Sequence, residues 1–154
     1  MTDPARDPSA TLLRRTRLAV SGLAVGTVAI VLIGRAALAR LGPPPIPSLV
    51  PDFITERTLH GALIAVVVLS YALRRGLAGR SALRDPATRA ERFFSGHVLA
   101  AAVGSQAAVL GLADEAIFAP SPRELAPFWV AAALCLAVAF PRGYELADFD
   151  EPLP

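Results

Sequence analysis

Lysine does not occur in this chain, and all 15 basic residues are arginine. With alanine abundant, that usage is closer to the bias of a GC-rich bacterial genome than to a functional choice. Cysteine occurs once, at Cys135. One thiol excludes an internal disulfide and a thiolate metal cluster, and within an apolar run it reads as a small packed hydrophobe. Carboxylates are missing from every long apolar stretch. Carrying ions across a membrane needs a carboxylate midway along a helix, so ion-coupled transport is excluded on this ground. No P-loop, dinucleotide fingerprint, nucleophile–base pair or metal-ligand spacing occurs either. The chain is read as no enzyme, with no cofactor, no metal and no nucleic-acid partner.

What is present is hydrophobic. Of 154 residues, enough for one domain, 54% are hydrophobic and 18% charged, a balance shifted from that of a soluble domain. Four apolar stretches stand out: Leu18 to Gly34 continuing to Ala39, Leu59 to Leu73, Phe93 to Ala113, and Leu125 to Phe140. A spanning helix needs about 20 mostly apolar residues. The fold class expected is all-α, a four-transmembrane-helix bundle built as two tandem hairpins. Its helices cover about 17–40, 53–75, 86–114 and 122–141, with the first and third in closest contact. A cleaved signal peptide is the rival reading of the first helix, since Ala37-Leu38-Ala39 looks like a cleavage site. The long apolar run and Arg35, where a neutral segment belongs, favour a retained helix.

Helix starts are marked by capping chemistry. Gly42 to Pro51 holds five prolines and favours polyproline II, after which Asp52 stands at an N-cap position with Glu56 in the next turn. Asp85-Pro86 opens the third helix, and Ser121-Pro122-Arg123-Glu124 opens the fourth with a capping box. Arginine counts give the orientation. The N-terminal segment, the 74–92 loop and the segment after the fourth helix share one side with 11 arginines, against four on the other. Both ends are therefore expected on the cytoplasmic side of a bacterial inner membrane.

Small residues recur at four-residue spacing. Gly22 and Gly26 form a GxxxG, and Gly96, Ala100, Gly104 and Ala108 a longer stripe. Such stripes allow backbones to approach closely in lipid, here within the bundle between helices one and three or between copies of the chain. Gln106 is the one strongly polar residue deep in a helix. It is expected to face the bundle, bonding across helices with Ser105, Thr27 or Ser21. The halves share Val25-Gly26-Thr27 against Val103-Gly104-Ser105, and Arg75-Gly76 against Arg142-Gly143. Both a duplicated hairpin and chance likeness between alanine-rich helices account for this.

The stretch from Phe93 to Leu112, with Phe140-Pro141-Arg142, resembles the second half of a family of small four-helix bacterial membrane proteins of unknown function. The resemblance covers residues 90 to 142; the first half agrees only in hydropathy. It implies the four-helix fold. In that family a glutamate tends to occupy the place of Gln106, and an amide does not titrate, so a proton-linked role is not carried over. A fainter similarity to rotor-ring proteolipids of ATP synthases implies no shared function, for want of the helix-centre carboxylate.

His60 and His97 begin different helices on opposite sides, separated by about 20–30 Å of bilayer. They cannot ligate one iron, and each is expected to be a solvated interfacial side chain. Asp114 and Glu115 are expected at a solvated helix end, where neighbouring carboxylates could hold a cation weakly. Arg74, Arg75, Arg80, Arg84, Arg89 and Arg92 are expected on anionic headgroups. Residues 143–154 form an acidic tail expected to be disordered and cytoplasmic. The function expected is an accessory or assembly subunit of an inner-membrane complex, with a homo-oligomer or a membrane protein as partner. The alternative is a small-molecule or lipid channel or carrier with Gln106 lining its cavity.

Overall fold

The computed structural model describes residues 8–41, 51, 53–118 and 121–147. It contains α1 (Pro8–Leu41), α2 (Glu56–Ala78), α3 (Pro86–Phe118), α4 (Pro122–Ala139) and the short α5 (Tyr144–Ala147). The first four are long and apolar enough to cross a membrane. Among the described residues there is no strand, and the expected all-α four-helix bundle is what the chain forms. The proline-rich segment 42–50, Asp52 and the tail from 148 onward lie outside the described residues.

Caps set the helix starts. The Thr55 amide donates to Thr58 Oγ1 at 2.8 Å, and the Thr58 amide donates back to Thr55 Oγ1 at 3.2 Å. This reciprocal box satisfies two amides left over at a helix start, so α2 begins at Glu56 rather than near residue 53. Asp85 receives the Ala87 amide at 3.1 Å and the Thr88 hydroxyl at 2.9 Å. The Thr88 bond, then the Ala87 bond, hold the Asp85 carboxyl below its usual range. The Ser121 amide donates to Glu124 Oε2 at 2.6 Å, with Pro122 opening α4. Helix α1 starts well before the expected residue 17, because Leu12 and Leu13 pack against buried Leu83, Phe93 and Leu146.

The end of the bundle that holds the start of α1, the α2–α3 turn and α5 is here the proximal end; the opposite end is distal. Helix α3 is the centre of the bundle. It packs most extensively on α2, next on α4 and less on α1, while α1 and α4 scarcely meet. The expected primacy of helices one and three is therefore corrected, and the glycines give the reason. A Cβ on Gly96 would stand 2.7 Å from Ala78 Cβ and 2.8 Å from the Ala78 amide nitrogen. One on Gly104 would overlap Cys135 Cβ and come 3.2 Å from Ser70 Oγ. The α3 stripe thus serves α2 and α4. By contrast, a Cβ on Gly22 or Gly26 would meet nothing within 4 Å. On α1 it is Gly34 that packs, since a Cβ there would stand 2.9 Å from Leu112 Cδ1.

Three layers of core follow the bundle axis. Leu63, Ala107, Ala108, Phe128 and Ala132 form the distal one. Val20, Ala100, Ala101 and Ala139 form the middle one. Leu83, Phe93 and Leu146 close the proximal end. Between the first two, Ser70 Oγ donates to the Ala100 carbonyl at 2.8 Å, a buried link from α2 to α3.

Candidate functional site

The proximal end contains a buried ion cluster built from three elements. On α3, His97 is fully buried and its Nδ1 lies 2.7 Å from the Phe93 carbonyl one turn back. Its Nε2 is 2.9 Å from Glu145 Oε2 on α5. The other carboxylate oxygen of Glu145 accepts from Arg74 Nη2 on α2, whose Nη1 also donates to the Ala78 carbonyl at 3.2 Å. The Phe93 ring covers the imidazole at 4.3 Å. His97 thus bridges the Phe93 carbonyl and the Glu145 carboxylate, spanning α3 and α5 through its two ring nitrogens. Burial raises the Glu145 carboxyl, but the His97 hydrogen bond and the Arg74 charge outweigh it and leave the group below its usual range.

Local structure brings Glu145 to this place. Pro141 follows the end of α4, and its carbonyl accepts from Arg17 Nε at 3.3 Å. The Glu145 amide then bonds the Arg142 carbonyl at 3.1 Å, closing a turn that buries Leu146 beside Phe93. Two expectations are corrected here. His97 is not a solvated interfacial side chain, and residues 144–147 are an ordered helical turn. Gly143, Gly79 and the arginines near them shape the same end: Arg89 Nε donates to the Leu83 carbonyl at 2.8 Å and Arg92 Nη1 to the Ala82 carbonyl at 3.2 Å. Arg75 reaches the Tyr71 hydroxyl, and Arg80 and Arg84 are exposed.

A second polar group lies at the distal end. Asp114 is 1% exposed, and its Oδ1 is buried without a hydrogen-bond partner. The titratable side chains around it are His60, Glu56 and Glu124, from α2 and α4. His60 Nδ1 lies 2.8 Å from the Glu56 carbonyl, and its ring meets Phe128 edge-on at 5.1 Å. Beside Asp114, Glu115 Oε1 accepts from Arg35 Nε at 3.2 Å, tying α3 to α1. The expected solvated helix end holds for neither acid as a pair, since Asp114 is enclosed. No group of three or more histidine, cysteine, aspartate or glutamate side chains among the described residues is placed to hold a metal.

Gln106 does not face the bundle. It is exposed on α3, and its Nε2 donates to the Ala102 carbonyl of its own helix at 3.3 Å. Ser105 likewise bonds Ala102, at 2.7 Å, and Thr27 bonds the Leu23 carbonyl, also at 2.7 Å. None of these bonds joins two helices. A cavity of about 330 Å³ does exist, but it lies between α1, α3 and α4, away from Gln106. Its walls are apolar side chains such as Val31, Leu32 and Leu136, and Arg35 stands at one end.

Four long apolar helices make the chain a multi-pass membrane protein. No protein-family model, curated protein or solved structure matches it.

Proposed function

We propose that the chain is a non-enzymatic accessory or assembly subunit of a bacterial inner-membrane complex, with its proximal end in the cytoplasm. The observation that carries this reading is the free GxxxG of α1. Gly22 and Gly26 have nothing within 4 Å of where a Cβ would stand, so the bundle leaves their close-approach surface unused. In lipid such a surface is suited to a partner helix, because small residues let two backbones come together and gain dispersion contacts. The arginine-rich proximal end fits a cytoplasmic placement by the positive-inside rule. The resemblance of residues 90 to 142 to small four-helix bacterial membrane proteins is part of the same proposal.

The test is gentle solubilisation from native membranes followed by affinity purification. The wild-type chain should bring a membrane protein, or further copies of itself, with it. Gly22→Leu combined with Gly26→Leu should lose that company while the helix content holds. A wild-type protein that elutes alone as a monomer overturns the proposal. The channel or carrier reading placed Gln106 in a cavity lining; its exposed position on α3 withdraws that support.

A further inference from the structure

We propose that the groove between α1 and α4 is a binding site for one phospholipid of net negative charge. One acyl chain would lie in the groove and the phosphate would sit against Arg35.

The groove arises from how α1 is held. Near its middle α1 is fixed by Val20, which packs on Ala100, Ala101 and Ala139. Toward the distal end it is fixed by the Gly34–Leu112 contact and the Arg35–Glu115 ion pair. Between these anchors α4 presents Ala132 and Ala133 and α3 presents Ala108, short side chains that leave space beside Val28, Val31 and Leu32 of α1. A space of about 330 Å³ results, within the range of small-molecule sites at about 300–1,000 Å³. Its lining is apolar except for Thr27 and Arg35, and the Thr27 hydroxyl is already bonded to its own helix. Water would find few partners there, whereas hydrocarbon finds dispersion contacts on every side.

Charge and depth choose the headgroup. The charge-free run from Leu18 to Gly34 has 17 residues. It rises about 26 Å, close to the thickness of the hydrocarbon core, so Arg35 stands at headgroup level. Thr27 lies eight residues below Arg35, about 12 Å deeper, which gives the groove the direction of an acyl chain. Trp129 lines the same groove and suits the interface belt. The guanidinium commits its Nε edge to Glu115, and the side chain remains 51% exposed. A guanidinium has further N–H groups to offer a phosphate in a bidentate pair. The Glu115 carboxylate repels phosphate from the Nε edge, so the phosphate takes the other one. The site does not depend on the accessory-subunit proposal.

Native mass spectrometry of the purified full chain tests this with phosphatidylglycerol and phosphatidylcholine supplied in equal amounts. One phosphatidylglycerol should stay bound at collision energies that strip phosphatidylcholine. Arg35→Gln should cut that preference about tenfold, the effect of losing one charge-assisted contact worth 1.4 kcal/mol. Ala133→Trp fills the groove from an exposed position and should remove the retained lipid of either kind, with helix content checked by circular dichroism. Equal retention of the two lipids, or an Arg35→Gln spectrum like the wild type, overturns the proposal in favour of unselective boundary lipid. A dimer that Ala133→Trp dissociates, with no retained lipid, overturns it in favour of a second copy. The partner capture described above reads a different surface, so either result can fail alone.

Discussion

His97 and Glu145 are separated by 48 residues and meet at 2.9 Å, an imidazole–carboxylate contact that joins α5 to the core of the bundle. Arg74 completes it from α2. With side-chain exposures of 0%, 13% and 16%, the three groups are well removed from solvent.

Removing the carboxylate should therefore be costly. Glu145→Ala leaves the Arg74 guanidinium buried without its carboxylate and His97 Nε2 without its partner, and the loss should be about 3 kcal/mol. Unfolding in mixed micelles of rising sodium dodecyl sulfate would measure it. Glu145→Gln, which keeps an acceptor oxygen, should lose less than Glu145→Ala; equal losses would show that charge and acceptor are irrelevant there.

The same group gives a pH dependence with a definite sign. Its carboxyl titrates below the usual range in the folded protein, so the folded state favours the ionised form. The stabilisation is complete above the unfolded value, about 4.3, and fades as pH falls through the lower folded value. The gap in unfolding midpoint between the wild type and Glu145→Gln should therefore shrink as pH falls below about 4.3. A gap that widens on acidification would contradict the assignment.

Glycine substitutions should separate the two helices that bear stripes. Gly96→Ala and Gly104→Ala push a methyl group into Ala78 and Cys135, and each should cost about 1–3 kcal/mol. Gly22→Ala enters open space and should change the stability of the isolated protein by less than about 0.5 kcal/mol.

At the distal end, Asp114→Asn should stabilise the fold. It exchanges a buried carboxylate, whose Oδ1 has no hydrogen-bond partner, for a neutral amide, and an unpaired buried charge is costlier than an unpaired buried amide. A rise in the thermal midpoint in detergent is the expected readout; a fall would mean that Asp114 is bonded after all.

Gln106→Leu should leave stability within about 0.5 kcal/mol, because the amide bonds its own helix on an exposed face. The contrast with Asp114 shows what was legible in the sequence. Lipid forces every backbone group to pair within its segment, so charge-free runs such as Leu18 to Gly34 report helices directly. Asp85-Pro86 and Ser121 to Glu124 report their starts because a cap needs only neighbours in sequence. Burial is harder, since polarity alone does not say which face a residue occupies. Extending the α3 stripe by steps of three and four in both directions from Gly104 reaches His97 and Asp114, both buried, and passes over Gln106. Spacing was the stronger signal than chemical type. The His97–Glu145 contact was beyond reach by either route, because it depends on the turn after Pro141 and on Leu146 finding Phe93. Helix α1 also ran further than its hydropathy suggested, since Leu12 and Leu13 continue its packing face among the arginines.

The position of α5 imposes an order on assembly. Arg74 and His97 belong to the α2–α3 hairpin, but the carboxylate that pairs with both arrives only after α4 has been made. Until then Arg74 lacks this counter-charge and His97 Nε2 lacks its partner, and the hairpin is better off with its proximal end open to water and headgroups than closed. Synthesis of residues 144–147 is thus the event that allows the proximal end to shut, and a chain released just before Tyr144 should insert all four long helices and still be handled by the cell as unfinished.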